Sequence, residues 1–130
     1  MGYGCYMEIT NNRTTAVTTY VNSVQCMYQD GQEGSNLQYF NNLTVQPKTT
    51  YPSSGQGVYI EAKNSGTCLF QSADFTIKVC DSNNAIIGNL SFSDSTASWK
   101  LADNTNPDLL NVNINNSGTQ GHITITVASS

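Results

Sequence analysis

The chain has 130 residues and a formal net charge of −4, and charged residues make up only 11% of it, so hydroxyl and amide side chains carry most of its contact with water. That length suits one domain around one modest core. The five basic residues Arg13, Lys48, Lys63, Lys78 and Lys100 are scattered, which argues against the clustered basic face of a nucleic-acid binder, while seven Tyr, four Phe and many β-branched residues argue against disorder.

In chain order, Cys5, Met7 and Ile9 alternate with Tyr6, Glu8 and Thr10, the period of a strand with one buried face, and Asn11-Asn12-Arg13 turns the chain. From Thr15 to Tyr28 the inward set reads Val17, Thr19, Val21 and then Val24, Cys26, Tyr28. The change of parity near Asn22-Ser23 predicts a bulge in one long, bent strand. Asp30 to Ser35 reads as a loop. Leu37, Tyr39, Leu43 and Val45 resume the alternation, but Asn41 would face the core, so a second bulge or two short strands are expected. Pro47 to Gly57 reads as a long connection. Val58, Ile60 and Ala62 form a short strand with Tyr59, Glu61 and Lys63 outward, and Asn64 to Thr67 turns the chain toward Cys68-Leu69-Phe70.

The clearest unit is the hairpin from Asp74 to Phe92. Phe75, Ile77 and Val79 line one side of its first arm, Asp81-Ser82-Asn83-Asn84 supplies turn formers, and Ile86, Gly88, Leu90 and Phe92 line the return. A strand around Trp99, a polar loop from Ala102 to Asp108, a strand through Leu110, Val112 and Ile114, and a last strand through Ile123, Ile125 and Val127 complete the chain. The last strand, wholly β-branched on its inward face, is expected deep in a sheet. About eight to ten short strands without helical periodicity predict an all-β fold, an antiparallel two-sheet β-sandwich or small barrel.

Chemistry is sparse. His122, the only histidine, alternates with Ile123 and so faces solvent, and no nucleophile or orienting partner accompanies it. No enzyme motif occurs, and a non-enzymatic protein is expected. Asp103 to Asp108 concentrates oxygen ligands, but the spacing lacks the glycine and closing glutamate of an EF-hand and reads as a solvated turn, so neither metal nor cofactor is expected. Cys5, Cys26, Cys68 and Cys80 allow three pairings and contain no C-x-x-C. The N-terminus MGYGCYMEIT lacks the regions of a signal peptide, and no apolar run approaches the ~18–20 residues of a membrane span. A soluble protein, cytoplasmic or non-classically secreted, with reduced cysteines is therefore expected. Four Asn-x-Ser/Thr matches, at Asn12, Asn42, Asn89 and Asn115, are close to chance in so Asn-rich a chain.

Aromatic side chains near loops are the best functional candidates, because they stack on sugars and settle at membrane interfaces. Tyr39, Phe40, Tyr51, Tyr59 and Trp99 are the candidate ligand-binding residues, Tyr59 having the strongest outward case. Core filling is the alternative for each.

The order of features resembles the aegerolysin superfamily, which includes short bacterial insecticidal crystal proteins. The similarity rests on the strand ending in Asn11-Asn12, on Val45-Gln46-Pro47, on Gly66-Thr67 ahead of the Phe75 strand, on the Asp81 turn leading to Ile87-Gly88, and on the closing stretch from Gly118 to Val127. The resemblance implies a soluble β-sandwich that binds a membrane lipid or glycan and often acts with a larger pore-forming partner. The tryptophan-rich segment of fungal members is absent: Phe92-Ser93-Asp94-Ser95 stands in its place and Trp99 is the only tryptophan, so no lipid specificity carries over. The expected function is membrane-lipid binding or a toxin-like role. The alternatives are a carbohydrate-binding lectin, or a structural, storage or adhesion protein that forms homo-oligomers.

Overall fold

The computed structural model describes residues 3–28, 31–95 and 97–129; Asp30, placed in a loop by the sequence, lies outside them. The alternating stretches become strands β1 (Gly4–Asn11), β2 (Val17–Gln25), β3 (Met27–Tyr28), β4 (Leu43–Val45), β5 (Thr49–Tyr51), β6 (Val58–Ala62), β7 (Ala73–Cys80), β8 (Ile86–Asp94), β9 (Trp99–Asn104), β10 (Leu110–Asn115) and β11 (Gly121–Val127). Short 3-10 turns occupy Gln32–Gly34, Leu37–Phe40 and Gly66–Cys68, and the described residues contain no α-helix.

One sheet runs β10-β11-β1-β6-β3, with β5 also paired to β1, and the other runs β4-β2-β7-β8-β9. Their inner faces share one core: Cys5, Met7, Ile9, Ile60, Ile123 and Ile125 from the first meet Val17, Phe75, Ile77, Leu90, Phe92 and Trp99 from the second. The fold is a β-sandwich. The expected antiparallel pairing holds throughout except between β1 and β11, which run parallel from Cys5↔Gly121 to Asn11↔Val127. β11 is thereby held between β1 and β10, in the interior of its sheet.

The Asp74 to Phe92 hairpin is the β7-β8 pair, with Phe75 opposite Phe92 and Ile77 opposite Leu90. The Phe75 and Phe92 rings stack at 5.1 Å. Asp81 shapes the turn, its Oδ1 accepting from the amides of Asn83 and Ala85, each at 2.9 Å. One expectation fails here. The pairing shifts between Val79 and Cys80, so Ile86 is exposed while Ile87 leans against the core; the inserted residue reverses the parity of the strand start.

The parity change in β2 is real, since its pairing with β7 shifts between Asn22 and Gln25. The strand resumes only as far as Gln25, which pairs with Asp74, and does not run on to Tyr28. Cys26 takes a left-handed backbone (φ 54) and the chain crosses to the other sheet, where Met27 pairs with Ala62. Met27 is consequently buried, whereas Cys26 and Tyr28 are only partly covered. A strand that changes sheets makes a corner of the sandwich.

Residues 37–45 are a 3-10 turn followed by β4, which places Leu37 and Phe40, three apart, in the core. Asn41 faces solvent, its Oδ1 accepting from the Val21 amide at 3.1 Å. The connection from Pro47 to Gly57 contains β5, whose Tyr51 pairs with Ile9.

Candidate functional site

β6 and β7 are joined at one end of the sandwich by residues 63–72, and there the chain closes around a cleft of about 400 Å³ lined by Tyr3, Lys63, Asn64, Leu69, Gln71 and Asp94, among others. The 3-10 turn Gly66–Cys68 opens on a left-handed glycine (φ 59) and is fastened by a disulfide between Cys68 and Cys26. The expectation of four reduced cysteines is therefore corrected: the sheet-crossing corner brings Cys26 to the turn, while Cys5 and Cys80 remain free and buried in the sheets. Cys68 is drawn inward and Ala73 enters β7 buried, so the chain between them must arch out. Its base is held by Gln25 Nε2, which donates to the Ser72 carbonyl at 3.0 Å and to Asp74 Oδ2 at 3.2 Å. At its crest Leu69 is 56% exposed and Phe70 95% exposed.

Polar groups line the cleft behind this crest. Asp94 is only 7% exposed; burial pushes its carboxyl above the usual range, and the Ser98 amide, donating to Oδ1 at 2.8 Å, partly offsets the rise. The Tyr3 hydroxyl is buried without a hydrogen-bond partner among the described residues, and burial, with smaller contributions from Cys5 and Asp94, raises its pKa. A carboxyl, a phenol and the amide side chains of Asn64 and Gln71 thus line a space able to hold a small polar group by hydrogen bonds, and Lys63, whose ammonium lies over the Tyr28 ring at 5.4 Å, borders it.

A pH effect follows from Asp94. A carboxyl whose folded pKa exceeds its unfolded one binds more protons in the folded state between the two values, so stability falls as pH rises through that window. Asp94→Asn keeps an acceptor for the Ser98 amide and removes the ionisation. It is expected to flatten this part of the stability profile and to raise stability at neutral pH, as read from urea unfolding midpoints across acidic to neutral pH; an unchanged slope would show that Asp94 is not responsible.

The aromatic candidates are dispersed. Trp99, expected to be exposed, is 1% exposed and packs against the Phe75 ring at 5.6 Å, because β9 turns it inward over the sandwich core. Phe40 is likewise buried, at the inward position of its 3-10 turn, with its ring edge-on to Tyr51 at 5.9 Å. Tyr39 is exposed and near Tyr51, which is half-buried. Tyr59 lies half-buried on the outer face of the first sheet, 5.3 Å from Tyr6, which stacks on His122 at 5.6 Å. Its hydroxyl donates to Glu61 Oε1 at 2.5 Å, and burial, then Glu61, raise its pKa. Glu61, expected outward, is buried, and residues 35–36 run beside β6 there: Ser35 Oγ accepts from the Glu61 amide and the Asn36 amide donates to the Tyr59 carbonyl.

The residues missed by sequence reading are Leu69 and Phe70. The available signal was an apolar Cys68-Leu69-Phe70 run between two polar turns that fits no strand period. The oxygen-rich stretch 103–108, expected as a loop, begins with the last two residues of β9, and its side chains bond within the protein: Asn104 Oδ1 accepts from the Asn106 amide, and Asn106 Nδ2 donates to the Ile87 carbonyl of β8. No helix among the described residues is long and apolar enough to cross a membrane. Compared with known proteins, the chain matches no family model and no curated protein.

Proposed function

We propose that the protein is a non-enzymatic membrane-binding β-sandwich that inserts Leu69 and Phe70 into the lipid interface and lodges part of a headgroup in the adjacent cleft. The observation that carries this reading is Phe70, an aromatic side chain left 95% exposed on a loop whose two ends are fastened. Burying a phenylalanine is worth roughly 1.5–3 kcal/mol, and the disulfide limits the ordering that docking requires. Two apolar side chains hold a bilayer weakly on their own, so the polar groups of the cleft supply the remaining contacts. A net charge of −4 favours neutral or zwitterionic surfaces over anionic ones. The aegerolysin resemblance points the same way and adds a larger partner protein for any permeabilising, toxin-like activity.

Phe70→Ala is expected to weaken co-sedimentation with zwitterionic liposomes about 10- to 100-fold, the equivalent of the lost side-chain transfer energy, without altering the unfolding midpoint. Failure of the unsubstituted protein to bind vesicles of any lipid class would overturn the reading. The lectin alternative draws on one observation, the row of His122, Tyr6 and Tyr59 on the outer face of the first sheet; specific retention on a glycan array would favour it.

A further inference from the structure

The two sheets end in strands of unequal vulnerability. β3 and β5 border one side of the first sheet with two and three residues, and β4 ends the second sheet with three. β9, at the other end of the second sheet, has six residues but carries Lys100 and Asp103 and pairs irregularly with β8 between Ser91 and Phe92. Shortness, charge and bulges are the usual protections of an open edge. β10 has none of them. It runs six residues, Leu-Asn-Val-Asn-Ile-Asn, in unbroken register with β11 from Leu110↔Val127 to Asn115↔His122, without a charge, proline or glycine.

The strand is also held ready. Asn104 Nδ2 donates to the Leu110 carbonyl at 2.9 Å, and the Asn116 side chain accepts from the Trp99 amide at 3.0 Å and donates to the Trp99 carbonyl at 2.9 Å. The first bond occupies the Leu110 carbonyl and the others hold Asn116, the residue that follows β10, so the open part of the edge runs from Asn111 to Asn115. Between them Val112 and Ile114 lean on the core but remain partly uncovered.

We propose that β10 is a self-association edge, pairing antiparallel with β10 of a second copy of this chain about a two-fold axis. The self-complementarity of the strand selects this partner. Residues directly opposite in an antiparallel pair share a face. A two-fold on Asn113 sets Val112 against Ile114 and Asn111 against Asn115, and leaves out Leu110, whose amide donates to the Asn106 carbonyl and whose carbonyl accepts from Asn104 Nδ2, each at 2.9 Å. In this register apolar meets apolar and amide meets amide, so one strand supplies both sides of an isologous interface. The first sheet then continues unbroken across the two copies. The edge lies in the β9-β10 flank and makes no use of the Leu69–Phe70 crest, so the inference is independent of membrane binding.

Sedimentation velocity over a concentration series tests it, comparing the unsubstituted chain with Asn111→Lys/Asn113→Lys. Both asparagines are exposed, so their replacement leaves the core intact, and the unfolding midpoint checks this. A Thr119→Lys variant, charged in a turn outside β10, is the control. The unsubstituted chain and the control are expected to dimerise alike, with the double variant shifted toward monomer by at least about tenfold in dissociation constant, because like charges would face each other across the pair. A monomer at every concentration, dimerisation of the double variant equal to that of the control, or an edge taken only by a different protein would each overturn the proposal.

Discussion

Replacing Cys26 and Cys68 together by alanine is expected to lower the stability of the fold by about 4 kcal/mol, the chain-entropy value for a bond that spans 42 residues. The bond joins the left-handed corner at Cys26, where the chain changes sheets and the Cys26 carbonyl accepts from the Lys63 amide at 2.7 Å, to the 3-10 turn at Gly66–Cys68. Its loss acts on the unfolded chain, by freeing a long loop, and on the folded one, by releasing the arch that carries Leu69 and Phe70. Urea unfolding with and without reductant reads the effect as a lowered midpoint. Buried Cys5 and Cys80 form no disulfide to reduce, so the reductant and the double variant should agree. A change below about 1 kcal/mol would mean that packing alone holds the corner. The membrane proposal adds that the reduced protein binds vesicles more weakly, because the crest must then be ordered on docking. A disulfide of this kind persists in an oxidising compartment.

Trp99→Ala is expected to cost about 3–5 kcal/mol, the range for truncating a buried large aromatic. The indole packs on Phe75, whose ring stacks in turn on Phe92, and its Cδ1 lies 3.1 Å from where a Cβ on Gly121 would stand, so the side chain links β7, β9 and β11. The indole nitrogen is buried without a partner among the described residues. Trp99→Phe should therefore cost much less, since removing an unpaired N–H offsets part of the lost volume. The pair of variants separates two roles for this residue. A core residue gives a large stability loss with alanine and a small one with phenylalanine; a ligand-stacking residue would leave stability unchanged and lose binding in both.

The architecture was legible because alternation is a local property. Phe75, Ile77 and Val79 against Asp74, Thr76 and Lys78 state a strand without reference to anything else, and the parity change at Asn22-Ser23 states a shift in pairing. What the sequence did not disclose depends on where the chain goes next. The crossing at Cys26 exchanges which of Cys26, Met27 and Tyr28 is buried, because Met27 meets a strand 35 positions away, opposite Ala62. Leu37 and Phe40 follow a three-residue spacing that looks like an interrupted strand when read two by two. Glu61 sits on an outward position of β6 yet is buried, its amide donating to Ser35 Oγ, a residue 26 positions away, and its carboxylate accepting from the Tyr59 hydroxyl.

The candidate site was less legible than the fold, and for a related reason. Type alone does not tell an aromatic side chain whether to face the core or the solvent. Trp99 and Phe40 had the character of ligand contacts and fill the core, while Phe70, preceded by Leu69 and followed by polar residues, was marked only by an apolar run that fits no strand period and is the most exposed of the large apolar side chains among the described residues. Its exposure follows from the disulfide and the buried Ala73 on either side of it, and those constraints join residues far apart in sequence.

Membrane insertion of the Leu69–Phe70 crest is tested most directly by Phe70→Trp fluorescence with zwitterionic vesicles. Trp99 is buried and provides a constant blue-emitting background, whereas an indole at position 70 begins in water. Binding is expected to shift the added emission to the blue and to make it quenchable by brominated acyl chains, with Trp99 in the unsubstituted protein unaffected. Vesicles that bind the variant while the added indole keeps its aqueous emission and escapes the brominated chains would contradict the assignment of the crest as the membrane contact.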